Sequence, residues 1–230
     1  MLLSVKALSA WYGEAQALWS IDLHVAHGEV VGVLGRNGAG KTTLLRSITG
    51  LQSKVSGEVL LEGKSIAGVA PHQISLRGLS LLREGGRMAT SLTVAQHLEL
   101  GRRLGTLRGG APRPLAEIWR WFPMLLPLRD RAAGMLSGGQ RQALALAAAL
   151  VANPKLLLLD EPSAGLAPQV AHELFRTIRK LAEQGLSVLV VEQQPAWLDG
   201  LAKRNYMLEV GNVIATGDLT DLMREQSASQ

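Results

Sequence analysis

The chain has 230 residues and a mass of 24.6 kDa, which fits one or two domains, and with 47% apolar residues it can bury a sizeable core. It contains no cysteine, which excludes a disulfide framework, a thiolate nucleophile and a cysteine-ligated metal. Its net charge of +5 and pI near 9.9 are typical of nucleic-acid-binding proteins, so the position of the positive charge matters.

No segment of the sequence resembles a membrane span or a secretion signal. The longest apolar run, residues 143–152, falls short of the ~18–20 residues that cross a bilayer. The first residues, 1–6, lack a basic region followed by a long apolar stretch. We therefore expect a cytosolic protein.

The first third of the chain predicts strands followed by one helix. Residues 18–26 partly alternate in polarity, as a half-buried strand does. Val30–Leu34 is a β-branched run that stops at Gly35, and a helix is expected over Lys41–Ile48, before Gly50. Residues 55–61 predict another strand.

A glycine-rich turn joins the strand over Val30–Leu34 to the helix that follows it. Its sequence fits the pattern G-x-x-x-x-G-K-T and consists of Gly35, Arg36, Asn37, Gly38, Ala39, Gly40, Lys41 and Thr42, with Thr43 next. Such a loop between a strand and a helix directs backbone N–H groups at a phosphate chain. We expect these residues to bind a nucleotide, with Lys41 neutralising β- and γ-phosphate oxygens and Thr42 ligating Mg²⁺.

The loop by itself is compatible with a kinase, a GTPase or an ATPase. The guanine-reading pattern Asn-Lys-x-Asp is absent from the sequence, which disfavours a GTPase.

The positive charge lies in the middle of the chain. Residues 77–131 contain ten arginines and four acidic residues, a net charge of +6, whereas the remaining 175 residues carry 14 basic and 15 acidic side chains. Three interpretations fit this segment: a solvated surface, a groove for a polyanion, or a surface that faces a membrane or a membrane protein. The stretch 77–150 is expected to be a helical insertion, with one helix over residues 91–103 capped by Ser91 or Thr93.

The last third alternates predicted helices and strands. Helices are expected over residues 138–152 and 168–184, and buried strands over residues 156–159 and 186–191. Two short strands (205–210 and 213–215) and a polar helix follow. This alternation predicts an α/β fold with a mostly parallel sheet.

Two carboxylates, Asp160 and Glu161, directly follow the buried strand at residues 156–159. Ligands bind at the carboxyl ends of strands in such sheets. We expect Asp160 to act at Mg²⁺ and Glu161 to orient or deprotonate the water that attacks the γ-phosphate.

A third motif, Leu136-Ser137-Gly138-Gly139-Gln140, opens the helix at residues 138–152. With the phosphate loop and the acidic pair, its order and spacing resemble the nucleotide-binding subunit of ABC transporters over nearly the whole chain. The resemblance implies an α/β P-loop NTPase with a mostly parallel core sheet, an antiparallel β subdomain and an inserted α-helical subdomain. It implies one cassette over residues 1–230, with a core at about 1–80 and 154–230 and a helical subdomain at about 81–153.

The same resemblance implies a composite site. Two cassettes pair head to tail, and each ATP meets the phosphate loop of one chain and Ser137, Gly138, Gly139 and Gln140 of the other. Tyr12 matches an aromatic that stacks on adenine, although it also fits a core aromatic. Glu84 matches a loop that senses Mg²⁺ and contacts the transmembrane partner, and residues 163–168 match the loop that crosses the dimer.

Three positions depart from the family pattern: Glu84 replaces a glutamine, Ala167 an aspartate, and Gln193 the histidine that acts at the catalytic switch. Together with residues 191–194, they resemble the branch that imports branched-chain amino acids and related amides. That branch usually pairs two different ATPase chains. Its sensing loop usually reads Pro-Glu-Gly-Arg, whereas this chain has Arg83-Glu84-Gly85-Gly86, which weakens the substrate assignment.

The resemblance implies transmembrane permease subunits, a second ABC ATPase chain (a paralogue or an identical copy) and, indirectly, a solute-binding protein as partners. No nucleic-acid partner is expected, and the location would be the cytoplasmic face of a bacterial inner membrane. The alternative is a soluble ABC-type ATPase acting on nucleic acid or ribosomes, although such relatives usually carry twin cassettes or a long coiled-coil insertion. A regulatory cassette with weak hydrolysis is a third interpretation, because Gln193 cannot carry the charge of a histidine.

Overall fold

The computed structural model describes residues 1–228, which form two sheets flanked by helices. The strands are β1 Leu3–Tyr12, β2 Ala15–Val25, β3 Val30–Leu34, β4 Lys54–Leu61, β5 Lys64–Ser65, β6 Leu79–Leu82, β7 Leu156–Asp160, β8 Ser187–Glu192, β9 Arg204–Glu209 and β10 Asn212–Gly217. The α-helices are α1 Lys41–Ile48, α2 Pro71–Leu76, α3 Val94–Leu107, α4 Leu115–Trp121, α5 Gly138–Val151, α6 Pro168–Glu183 and α7 Leu219–Ala228. Short 3₁₀ turns lie at Glu84–Gly86, Pro123–Leu128, Ala133–Met135 and Pro195–Trp197.

The larger sheet has the order β10-β9-β3-β8-β7-β6, and all its strands are parallel except β10, which runs antiparallel to β9. The predicted mostly parallel core sheet is therefore confirmed. Strand β6 was missed, because it lies inside the stretch 77–150 that the sequence indicated to be helical. Its four residues, Leu-Ser-Leu-Leu, are too few to show a period, and pairing with β7 decides their conformation.

Strand β7 is buried on both faces, as its uninterrupted leucines predicted. Leu157 and Leu159 pack into a hydrophobic cluster with the helical segment, including Leu144 of α5. Leu156 and Leu158 point the other way, into a cluster that includes α1 and the smaller sheet. The strand that carries the acidic pair is thus held between two cores.

The smaller sheet is antiparallel, with the order β2-β1-β4-β5. Its apolar side chains, such as Leu8, Leu18 and Val59, are buried against α1. This sheet brings the end of β1 next to the start of α1, which places Tyr12 near the phosphate loop.

Helices α3 and α5 pack against each other, and each begins with a side-chain cap; of the two predicted candidates for α3, Thr93 is the cap. Thr93 Oγ1 accepts a hydrogen bond from the Gln96 N–H at 3.2 Å, and Ser137 Oγ accepts one from the Gln140 N–H at 3.3 Å. Within residues 1–228, no helix combines the length and apolarity that crossing a bilayer requires.

Arg108, at the end of α3, is turned inward. Its guanidinium donates to the backbone oxygens of Ser75, Leu79 and Ala152 at 2.9–3.1 Å and to Ser80 Oγ at 3.0 Å. Burial lowers the pKa of Arg108 to about 10. This half-buried side chain joins α3 to the edge of the core sheet, so at least one of the ten central arginines has a structural role within the fold.

Candidate active site

A cleft of about 880 Å³ opens at the carboxyl ends of β3 and β7. It brings together residues that are far apart in the sequence. The predicted site residues that line it are Tyr12, Asn37, Gly38, Gly40, Lys41, Thr42, Thr43, Glu84, Glu161 and Gln193.

The phosphate loop wraps around the side chain of its own lysine. Lys41 is 4% exposed, and its Nζ donates to the backbone oxygens of Gly35 at 2.7 Å and Arg36 at 3.0 Å. Gly40, which precedes α1, has φ of +108°, and a β-carbon there would lie 2.8 Å from Leu18. The loop conformation therefore requires glycine at this position and leaves the N-terminus of α1 facing the cleft.

Glu161 faces this lysine. Its Oε1 lies 3.0 Å from Lys41 Nζ, and its side chain is 18% exposed. The backbone φ of Glu161 is +42°, a left-handed conformation that is rare for residues other than glycine. Its N–H donates to the backbone oxygen of Val191 at 3.1 Å, which holds this turn against β8. Such strain is characteristic of functional positions, and here it directs a carboxylate into the cleft.

Asp160 lies one residue earlier and is buried. It accepts a hydrogen bond from Thr42 Oγ1 at 3.0 Å. Burial raises the pKa of Asp160, and the nearby charges of Glu161 and Glu84 act in the same direction, while the Thr42 hydrogen bond and Lys41 oppose them.

The adjacent oxygens of Thr42 and Asp160 fit Mg²⁺. This ion takes oxygen ligands and is usually held by one or two carboxylates together with phosphate oxygens and water. No three His, Cys, Asp or Glu side chains among residues 1–228 are grouped as a metal site by themselves. The donors present are those of a site that shares its ion with a phosphate ligand.

Three further predicted residues line the rim of the cleft. Tyr12 is 50% exposed, so it is not a core aromatic, and its hydroxyl lies 3.3 Å from Thr43 Oγ1. Glu84 begins a 3₁₀ turn after β6. Gln193 follows β8 and is exposed.

The remaining predicted residues lie elsewhere. Gly35, Arg36 and Ala39 line an adjoining cleft of about 600 Å³ on the other side of the phosphate loop, which shares Asn37, Gly38 and Gln193 with the first. Ser137 and Gly138 are exposed at the start of α5, and neither they nor Gly139 and Gln140 line the large cleft. The structure of one chain thus does not bring the third motif to the phosphate loop.

The sequence pattern of the family described as "ABC transporter" matches residues 18–164, which span the phosphate loop, the third motif and the acidic pair. The chain belongs to the ABC transporter family. As an ABC protein it is an ATP-binding transporter subunit and an ATPase.

The similarity to other ABC subunits covers almost the whole chain. The high-affinity branched-chain amino acid transport ATP-binding protein BraG of Pseudomonas aeruginosa is 37% identical over 93% of this chain and 91% of its own length. The probable branched-chain amino acid transport ATP-binding protein LivF of Archaeoglobus fulgidus is 36% identical over 98% and 95%. A solved structure of an ATP-binding subunit of an ABC transporter superposes with a TM-score of 0.82, at 28% identity, over 99% of this chain and 94% of its own.

Two buried polar residues of this ABC subunit were missed by the sequence interpretation. Glu192, at the end of β8, is 1% exposed and touches the cleft. Gln142 of α5 is also buried, and its amide donates to the backbone oxygen of Pro162 at 3.3 Å. The signal for Glu192 was a single acid at the end of an apolar strand, a weaker form of the paired acids at Asp160 and Glu161.

Proposed function

We propose that this subunit hydrolyses ATP in the large cleft, with Glu161 as the catalytic carboxylate, and that it powers an importer of branched-chain or related amino acids. The observation that carries the first part is the convergence of Lys41, Thr42, Asp160 and Glu161 from two distant segments, with Lys41 Nζ 3.0 Å from Glu161 and Thr42 Oγ1 3.0 Å from Asp160.

In the proposed reaction, backbone N–H groups of the phosphate loop and Lys41 bind the β- and γ-phosphates. Glu161 orients a water molecule and accepts its proton as the water oxygen forms a bond to the γ-phosphorus. The bond from that phosphorus to the β–γ bridging oxygen breaks, which yields ADP and inorganic phosphate. Tyr12 stacks on the adenine at the exposed rim of the cleft, and Gln193 contacts the γ-phosphate.

Mg²⁺ would be held by Thr42 and Asp160, with Glu84 nearby, and would neutralise phosphate charge when bound.

The site is proposed to be shared between two chains. Ser137 and Gly138 are exposed at a helix N-terminus, and the helix dipole there favours an anion. Residues 137–140 would face the γ-phosphate bound to a second ABC ATPase chain, either a paralogue or an identical copy. Residues 163–168 would cross that interface.

The importer assignment is supported by the names of similar subunits and by the sequence pattern around Glu84 and Gln193. In this proposal residues 81–153 form the helical subdomain, residues 1–80 and 154–230 form the core, and the loop at Glu84 contacts the permease. A solute-binding protein would deliver the cargo to that permease. The subunit would lie on the cytoplasmic face of a bacterial inner membrane.

The test is reconstitution in proteoliposomes of the permease complex that co-purifies with this chain from membranes. We expect ATP-dependent uptake of leucine, isoleucine or valine. ATP hydrolysis without uptake of any of these would overturn the substrate assignment. Retention on nucleic acid at moderate salt, with no permease recovered, would overturn the transporter assignment in favour of a soluble ATPase.

A further inference from the structure

Glu192 is a buried carboxylate that none of the roles above uses. It ends β8 at a position where the rest of the strand is apolar, apart from Ser187 at its start. With 1% of its surface exposed, its charge has little access to solvent. Burial raises its pKa, and Glu161 adds to this, while hydrogen bonds from Ser163 and Gln193 oppose it. A charge retained in such a position needs compensating donors.

The donors come from the two loops that flank the cleft. Ser163 donates its backbone N–H to Glu192 Oε1 and its hydroxyl to Oε2, each at 3.0 Å. The Gln193 N–H donates to Oε2 at 3.2 Å. One carboxylate therefore holds the first residue of the 163–168 loop and the backbone of the switch residue at the same time.

The backbone of Glu192 reaches a third segment. Its carbonyl oxygen accepts a hydrogen bond from the Gly35 N–H at 3.3 Å, at the first residue of the phosphate loop. Leu34 and Glu192 are also register partners in the parallel pair β3 and β8. Residue 192 is thus bonded to the phosphate loop, to the loop after Glu161 and to the switch position.

We infer that Glu192 is a positioning residue, which couples the loop that begins at Ser163 to the switch residue Gln193 and so sets the geometry of hydrolysis by Glu161. The inference rests on the proposed function, because it gives these loops their roles. Glu161 and Ser163 are two residues apart, so a shift of Ser163 moves the turn that carries the catalytic carboxylate. In this proposal Glu192 acts through Ser163 and Gln193, which donate to its two side-chain oxygens.

The chemistry of the contact requires a carboxylate. All three side-chain contacts are donors to Glu192, and a carboxylate only accepts. In Glu192→Gln, the amide nitrogen must face either the Ser163 N–H or the Gln193 N–H, so one backbone donor loses its partner whichever way the amide turns. The Ser163 hydroxyl can rotate to accept and is retained.

The experiment measures ATP hydrolysis in the complex purified from membranes, and nucleotide affinity in the isolated chain, for Glu192→Gln, Ser163→Ala and the double variant. We expect Glu192→Gln to lower kcat roughly tenfold, as for the loss of one charge-assisted hydrogen bond, with KM for ATP and nucleotide affinity within about twofold of wild type. The double variant should lose less than the product of the two single losses, because both changes act on one contact.

Glu29→Gln is the matched control. Glu29 is also partly buried and accepts a backbone N–H, from Ala26 at 2.7 Å, but it pairs with Arg204 and does not line the cleft. It should retain wild-type kcat.

The possible results distinguish the positioning role of Glu192 from the proposed function. Wild-type kcat in Glu192→Gln, multiplicative losses in the double variant, or a loss of nucleotide affinity in the isolated chain would each overturn the positioning role. A wild-type complex that does not hydrolyse ATP would instead overturn the proposed function. Ser163→Ala keeps the inference testable if Glu192→Gln does not fold.

Discussion

The phosphate-loop edge and the segment 137–140 are both glycine-rich helix N-termini, yet other site residues of the same chain meet the first, whereas the second faces open space. At the phosphate loop, Lys41 contacts two backbone oxygens and Glu161, and Thr42 contacts Asp160. At the second segment, the cap of Ser137 and Gln140 satisfies the helix end locally, and the surface of Gly138 is open. This difference fits the proposal that residues 137–140 serve the nucleotide site of a second chain.

The two glycines of the segment 137–140 differ in how closely other atoms of the chain surround them. A β-carbon on Gly138 would meet nothing within 4 Å, whereas one on Gly139 would lie 2.6 Å from Val170 of α6. Gly139 is therefore required by packing inside this chain. Gly138 has no such requirement, so any need for glycine there comes from outside the chain.

The largest effect is expected at the phosphate-loop edge. Glu161→Gln should lower the ATPase kcat of the assembled complex by roughly 10²–10⁴-fold, because the amide cannot accept the proton of the attacking water. Nucleotide affinity should remain, since the phosphate loop is unchanged. Steady-state hydrolysis and nucleotide titration measure the two quantities, and near-wild-type hydrolysis would remove Glu161 from the mechanism.

The next largest effect is expected at the segment 137–140. Gly138→Asp should leave nucleotide affinity and melting temperature of the isolated chain unchanged, yet reduce ATPase activity of the complex to about a hundredth, because a carboxylate would face the bound phosphate. Gly110→Asp is the matched control, since a β-carbon there also meets nothing within 4 Å. Equal activities of the two variants in the complex would contradict a shared site.

Lys41→Ala tests ATP binding by the isolated chain, without the assembled complex. Loss of a charged donor to phosphate should weaken ATP binding by the isolated chain about 10–100-fold. Lys6→Ala, which removes an exposed lysine paired with Glu58, should bind as wild type does. Unchanged affinity in Lys41→Ala would mean that the loop does not bind the phosphates.

The smallest effect concerns two carboxylates in different regions. Because the pKa of buried Glu192 is raised in the folded protein, its contribution to stability falls as pH rises above the ordinary glutamate value. The melting-temperature difference between Glu192→Gln and wild type should therefore become more positive, by a few degrees, between pH 4 and pH 7.

Glu99 of α3 should show the opposite sign. Hydrogen bonds from Arg102 and Arg103 lower its pKa to about 2, so its contribution is present above the ordinary glutamate value and is lost as pH falls. Glu99→Gln should therefore destabilise less at pH 3 than at pH 7. For each variant, the measurement is the difference in melting temperature from wild type as a function of pH. If this difference changed in the same direction with pH for both variants, these assignments would be contradicted.

The short motifs were visible in the sequence because their chemistry is local. The phosphate loop needs glycine where φ is positive, as at Gly40, and the caps Thr93 and Ser137 bond residues three positions away. Helix α6 was predicted for the same reason. Strand β6 was missed because four residues carry no period, and its conformation depends on a partner strand about 75 residues later.

By itself, the sequence determined the α/β architecture, the family and the phosphate-binding edge, since these follow from short local motifs, their order along the chain and the alternation of strand and helix patterns. Only the tertiary structure decided that Lys41 faces Glu161, that the Arg108 guanidinium bonds backbone oxygens of the core, and that Glu192 joins three segments. Each of these is a contact between residues that are distant in the chain. It exists because the parallel strands end at one edge of the sheet, and nothing local in the sequence records which side chains meet there.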